Sequence, residues 1–460
     1  MFTRRRTWSS RWKRKSQRRR PWLPILLLLV GVPVGLELLA RAIVSATGTT
    51  EQLMGDPSGK STIIQAYQLG FHSPTGQAYR GLPHQGSLQA LRDPLRGYQL
   101  QPQQQNQFLT INPQGFRDPD SVKPEKPEGE VRIFVLGGSM AFGQLSSSDE
   151  VTFAQQLEKL LNDRVAGQRA RSAQFQPAVL PYRADQVGQA LALPPRIPER
   201  QYRVINAAVP GYASGNELSM LMQQVANYNP DMVLVLNSYE DLLLPSGQSG
   251  TDIPGLDSLI EGKREGADTQ IKQAVQGWFD GLYLVRATKK YVLRSSSPEQ
   301  QQAVPLNLLT GSEQPLDQSL PKDGKELDQR VARYQNHLLQ IARWSSATKK
   351  RLLIGIQPEI STRQEKVITP QEKAILTELG GNYTQRIQPA YTKLVSAAKQ
   401  VTSTSANIKL LDLHQLYATT PGQVFQSPTS LTDEANGLLA KQFFDSIVQQ
   451  MAIEPKPYGS

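Results

Sequence analysis

Residues 131–139 read VRIFVLGGS, a short run of apolar, β-branched and aromatic side chains stopped by two glycines and a serine. Such a run, four to eight residues long and closed by glycine, marks a strand buried on both faces, as in a parallel sheet. Phe153–Leu161 (FAQQLEKLL) follows with apolar residues at helical spacing. The same alternation recurs outward along the chain. Tyr202–Ala208 (YRVINAA), Met232–Leu236 (MVLVL), Arg351–Gln357 (RLLIGIQ) and Ile408–Leu413 (IKLLDL) read as further strands. Helical stretches at 217–227, 326–348, 370–400 and 432–452 separate or follow them. This order predicts an α/β fold: a three-layer α/β/α sandwich around a five-stranded parallel sheet, spanning 126–452. Two polar segments, 164–200 and 246–325, read as insertions. In such sheets ligands bind beyond the carboxyl ends of the strands, so those ends are where chemistry is sought.

The 460-residue chain carries 51 Lys and Arg against 40 Asp and Glu, a formal charge of +11. Ten of the basic residues lie in the first 20 positions with no acidic partner, which leaves the remainder almost neutral. The excess is a property of one tail, and nucleic-acid binding, which would place basic residues on a folded face, is not expected. The absence of cysteine excludes disulfides, thiolate nucleophiles and cysteine-ligated metals. Four histidines leave little for a multi-histidine centre, and no cofactor or metal is expected.

Directly after the basic tail (1–21), Trp22–Val44 supplies 23 largely apolar residues, enough for one membrane-spanning helix with Glu37 and Arg41 at the far interface. The basic cluster sets the tail in the cytoplasm, near anionic lipid, and the body on the other side. A cleaved signal peptide ending near Ala46 is the competing reading, and it too exports the body. Residues 45–125, rich in Gln, Gly and Pro, read as a linker or small irregular subdomain.

The strand ends carry four blocks: GGSMAFG (137–143), NAAVPGYASGNEL (206–218), LNSYEDLLLP (236–245) and VFQSPTSLTDEANGLLA (424–440). Together, in this order, they resemble the SGNH (GDSL) hydrolase family, whose sheet is flavodoxin-like, and in particular its membrane-anchored bacterial members acting on ester groups of carbohydrates or lipids. The resemblance implies that Ser139 holds the place of the nucleophile and Gly211 that of an oxyanion-holding backbone N–H. It also implies that the oxyanion asparagine is replaced by Glu240, with Asn237 in the place of a glycine. In the last block Ser427 stands for the family's aspartate and Ser430 for its histidine.

These substitutions remove chemistry. A serine hydroxyl attacks a carbonyl usefully at neutral pH only if a neighbouring base takes its proton, and Ser430 is no base. Glu240 brings an acceptor and a negative charge where a donor is needed. Two residues are candidate substitute bases: His414, which follows Asp412 at a strand end, and Glu240 itself. Glu240, Asp241 and the serines also form an oxygen-rich set of the kind that hard cations prefer. The expectation is therefore a catalytically degenerate hydrolase-like protein of the cell envelope that binds or scaffolds, with an acylated glycan or lipid as ligand. The alternative is an active esterase, deacetylase or acyltransferase that uses Ser139 with a non-standard base.

Overall fold

In the computed structural model, described for residues 63–73, 75–77, 86–93, 95–247 and 316–459, the alternation of strands and helices builds one five-stranded parallel sheet. Its strands are β6 (Glu130–Gly137), β7 (Gln201–Asn206), β8 (Met232–Asn237), β9 (Arg351–Ile356) and β10 (Ile408–Asp412). Across the sheet they run β7, β6, β8, β9, β10. Every residue of β8, and of β6 from Val131 onward, is buried, which is why both read as unbroken apolar runs. β6 pairs in parallel with both β7 and β8, with Ile133 opposite Val204 on one side and Met232 on the other. The chain builds first to one side of β6 and then to the other. The loops leaving β6 and β8 therefore diverge at the switch point, where open α/β sheets hold ligands.

One helical layer contains α2 (Phe153–Ala170) and α9 (Asp433–Gln450) in mutual contact. In the other, α6 (Gly324–Thr348) packs against α4 (Ser214–Gln223) and α8 (Tyr383–Thr402). Three boundaries differ from the sequence expectation. Helix α2 runs on to Ala170, into the stretch expected as an insertion, because Val165 and Gln168 continue its buried stripe. Gln168 is polar yet core-facing: its amide exchanges hydrogen bonds with the backbone of Ile197 at 2.9 and 3.0 Å. Helix α4 begins at Ser214, three residues earlier than the apolar spacing suggests. The single helix expected over 370–400 is two, α7 (Pro370–Leu379) and α8, broken at Gly380. Gly380 sits at φ +105° with its α-carbon against the Asp317 carboxyl, where a β-carbon would lie 2.4 Å from Cγ. The basic tail, the apolar 22–44 segment and most of the 246–325 segment lie outside the described residues. Among the described residues no helix is long and apolar enough to cross a membrane.

The polar region upstream of β6 contributes to the same core. Strands β1 (Leu69–Phe71), β2 (Leu88–Asp93) and β3 (Gly97–Leu100) form a small sheet, followed by the short pair β4 (Gln104–Gln105) and β5 (Thr110–Ile111). Tyr98 donates its hydroxyl to the Pro210 carbonyl, and Tyr212 donates to the Tyr98 carbonyl, so this sheet grips the loop after β7. Arg117 is the second tie. Its guanidinium pairs with Asp149 at 2.9 Å and donates to the carbonyls of Phe142 and Gly143 at 3.0 and 2.7 Å and to the Tyr67 hydroxyl at 2.7 Å. It also lies over the Tyr67 and Phe142 rings. Phe142 and Gly143 end α1 (Ser139–Phe142), whose last carbonyls have no partner within so short a helix, and Arg117 supplies one.

Removing one member of a buried ion pair strands the other, at about 3–5 kcal/mol. Arg117→Met should therefore lower the unfolding free energy by about 3 kcal/mol or more, read from urea denaturation followed by circular dichroism. A loss of under about 1 kcal/mol would show that the clamp is dispensable.

Candidate functional site

Strand β6 ends at Gly137, and the chain turns at once into α1, so Ser139 lies at the head of that helix. Ser139 is fully buried. Its Oγ accepts a hydrogen bond from the Gly211 N–H at 3.2 Å. Gly211 reaches it because the loop after β7 turns there at φ +82°, a conformation that glycine adopts without strain. The structure thus brings Ser139 and Gly211 together.

Glu240 joins them from the other side of the switch point, on α5 (Tyr239–Leu243) after β8. The Ser139 backbone N–H donates to Glu240 Oε1 at 3.3 Å. The carboxyl lies flush on the backbone: a β-carbon at Gly138 would meet Oε1 at 2.4 Å and Cδ at 2.6 Å. The turn that delivers Glu240 is strained. Ser238 sits at φ 132°, ψ −35°, a region costing a non-glycine residue on the order of 1–3 kcal/mol and common at functional sites. Glu240 is buried, and Oε2 makes no hydrogen bond among the described residues. Burial pushes the carboxyl up to about 7 against the pull of the Ser139 N–H and its own backbone N–H, with the charge of Asp241 adding to the rise.

The last loop brings its two serines to each other. Ser427 Oγ donates to Ser430 Oγ at 2.8 Å, and both residues are buried. They lie on β11 (Phe425–Ser427) and β12 (Ser430–Leu431), and β12 packs against α1. A buried ion pair holds this loop: Arg363 meets Glu372 at 3.1 Å and donates to the carbonyls of Tyr417, Thr420 and Gly422. Glu372 in turn accepts from the N–H groups of Val424 and Phe425 at 3.0 and 3.1 Å.

His414 does not join Ser139. Its Nδ1 is 2.8 Å from Asp412 Oδ1, its ring lies tilted beside that of Tyr391 with centroids 6.0 Å apart, and no hydrogen bond links it to Ser139. The two-residue spacing that suggested an acid–base pair produces one, and it satisfies itself at the sheet edge. Asn237 is also committed elsewhere: its amide donates to Glu217, and its Oδ1 accepts from the Tyr334 hydroxyl at 3.3 Å.

A polar cluster beside Glu240 was not anticipated from the sequence. Asp241 accepts from the Ser214 N–H at 3.0 Å and from Ser214 Oγ at 2.6 Å, and the same Oγ is 2.8 Å from His337 Nδ1. Glu217 lies nearby, fully buried, with Oε1 unbonded. Burial and the charge of Asp241 raise its carboxyl well above the ordinary range. Burial likewise raises Asp241, opposed by Ser214, Arg333 and His337. Despite these carboxyls, no group of three or more His, Asp or Glu side chains among the described residues is arranged to hold a metal ion.

No protein-family profile matches this sequence, and no curated protein matches it. Solved structures similar to the chain include esterases and acylhydrolases. A lipase/acylhydrolase from Enterococcus faecalis is 14% identical over 71% of this chain and 98% of its own, with a TM-score of 0.33. An acetyl xylan esterase is 11% identical over 69% of this chain and 100% of its own, at 0.31. A catalytic mutant of an acetylxylan esterase from Geobacillus stearothermophilus is 10% identical over 71% and 96%, also at 0.31. At this level the likeness assigns no role to any residue.

The raised carboxyl of Glu240 has a consequence for stability. The folded state holds its proton up to about pH 7, whereas the unfolded chain releases it near 4.5. Stability therefore falls as pH rises from about 4.5 to 7, by on the order of 3 kcal/mol for this group. Glu240→Gln removes this group's share of the dependence, while the other raised carboxyls, Glu217 and Asp241 among them, act alike in both proteins. Urea midpoints of both proteins across this range should converge at low pH and separate, with the variant the more stable, at pH 7.5; parallel curves would refute the assignment.

Proposed function

We propose that this chain is an SGNH-type hydrolase-like protein that has lost ester hydrolysis and acts by binding or scaffolding at the cell envelope. One observation carries the reading: Ser139 Oγ accepts a hydrogen bond from the Gly211 N–H, and among the described residues no basic side chain hydrogen-bonds that oxygen. The base position holds Ser430, already bonded by Ser427. Loss of a general base costs a serine hydrolase on the order of 10^4–10^6 in turnover. Loss of one oxyanion donor costs a further ~10^2–10^3. Burial of Ser139 adds to this, since an acyl group has no approach to a fully buried hydroxyl.

In this reading residues 22–44 anchor the chain, the basic tail stays in the cytoplasm beside anionic lipid, and the sheet domain faces outward. The support is the charge asymmetry of the first 44 residues. The ligand class is an acylated glycan or lipid, by descent from an esterase site. A second reading, an active esterase or acyltransferase with Glu240 as base, is favoured by a carboxyl near 7 with an unbonded Oε2. That role requires a bond from the Ser139 hydroxyl to the carboxylate, and the bond made comes from the Ser139 N–H.

Short-chain aryl esters and a fluorophosphonate probe separate the two. The wild type and Ser139→Ala should hydrolyse the ester at the same background rate, and neither should be labelled. Ser139-dependent turnover or labelling overturns the inactive reading, and its loss in Glu240→Gln would assign the base.

A further inference from the structure

We propose that Asp241, Ser214 and His337 form a proton relay across three helices, in which the charge of the buried Asp241 carboxyl fixes which ring nitrogen of His337 carries the hydrogen. The inference concerns groups outside the Ser139 pair and holds whether or not that serine reacts.

Ser214 opens α4 and is fully buried, Asp241 lies buried on α5, and the partly exposed His337 lies on α6. Ser214 Oγ is 2.6 Å from Asp241 Oδ1 and 2.8 Å from His337 Nδ1, while the Ser214 N–H donates to Asp241 Oδ2 at 3.0 Å. A hydroxyl has one hydrogen to give, and a carboxylate can only accept. While Asp241 is ionised it takes the Ser214 hydrogen, so Nδ1 must donate to Ser214 Oγ. Neutral His337 is then the Nδ1–H tautomer with a bare Nε2. A proton arriving at Nε2 reaches the acid by two transfers, Nδ1–H to Ser214 Oγ and the Ser214 O–H to Asp241 Oδ1. The relay then points the other way: the Asp241 O–H donates to Ser214 Oγ, the hydroxyl donates to Nδ1, and the ring keeps its hydrogen on Nε2. The order of groups differs from a nucleophilic triad, where the imidazole stands between acid and serine. Here the serine stands between.

The surroundings suit such a relay. Arg333, one turn before His337 on α6, donates to the carbonyls of Asp241, Leu244 and Pro245 and so ties α5 to α6. Facing Asp241 as well are Glu217 on α4, Glu240 beside it on α5 and Tyr334 on α6. Burial raises the Asp241 carboxyl, opposed by Ser214, Arg333 and His337. Burial lowers the imidazole against the pull of Asp241, with Arg333 adding to the fall, so the neutral ring is the form present from about pH 7 upward.

Nitrogen NMR of the full chain in detergent, labelled with 15N-histidine, reads the tautomer directly. Four histidines keep the spectrum simple, and His337→Gln identifies the signal. At about pH 9 the wild-type ring should carry its hydrogen on Nδ1. In Asp241→Asn the side-chain carbonyl keeps the Ser214 N–H, so the amide N–H faces Ser214 Oγ as a protonated acid would. That variant should move the ring hydrogen to Nε2. A wild-type ring in the Nε2–H form at about pH 9, or a ring still in the Nδ1–H form in folded Asp241→Asn, overturns the proposal. The wild-type spectrum decides the matter alone if the variant does not fold.

Discussion

A backbone N–H that emerges at the end of a buried central strand must find an acceptor, and at Ser139 that acceptor is a carboxyl oxygen of Glu240. Much of the local structure follows from this bond. Gly138 must lack a side chain for the carboxyl to reach the main chain. Ser238 must hold an unfavourable backbone angle to deliver it. The carboxyl is raised to about 7 because the group is surrounded by protein, with the charge of Asp241 adding to the rise.

A second constraint acts on the loop that carries Ser427 and Ser430. The Arg363–Glu372 pair, wholly buried, fixes the loop leading to Ser427 and Ser430. Burying two charges is favourable only when each is well satisfied, and here the guanidinium reaches several carbonyls while the carboxylate holds two backbone N–H groups. Fold maintenance alone accounts for such a pair: removing either member would leave an uncompensated charge whether or not the loop performs chemistry.

The sheet was legible in the sequence because parallel strands buried on both faces appear as apolar runs with glycine or polar stops, as VRIFVLGGS does. Helix ends were less so. Gln168 looks like a surface residue until the Ile197 backbone is placed beside it, and the break at Gly380 depends on Asp317, 63 residues away. The first and third blocks gave Ser139 and Glu240, since motif order at strand ends is a local signal. The Ser214, Asp241 and His337 cluster was invisible because Ser214 and His337 are separated by 123 residues and meet only when α6 packs on α4. His414 shows the opposite: Asp412, two residues away, is its hydrogen-bond partner, and no hydrogen bond links the ring to Ser139.

The Arg117 clamp bears on how this domain could be moved between proteins. The guanidinium that completes the helix carrying Ser139 comes from before β6, and the hydroxyl it leans on, Tyr67, comes from earlier still and itself donates to the Ser146 carbonyl. A recombination event that joined a foreign segment at the start of the sheet would inherit the five strands without the group that completes the Ser139 turn. The unit that can be inherited whole therefore begins at or before Tyr67, and the upstream polar stretch and the sheet are bound to be exchanged together.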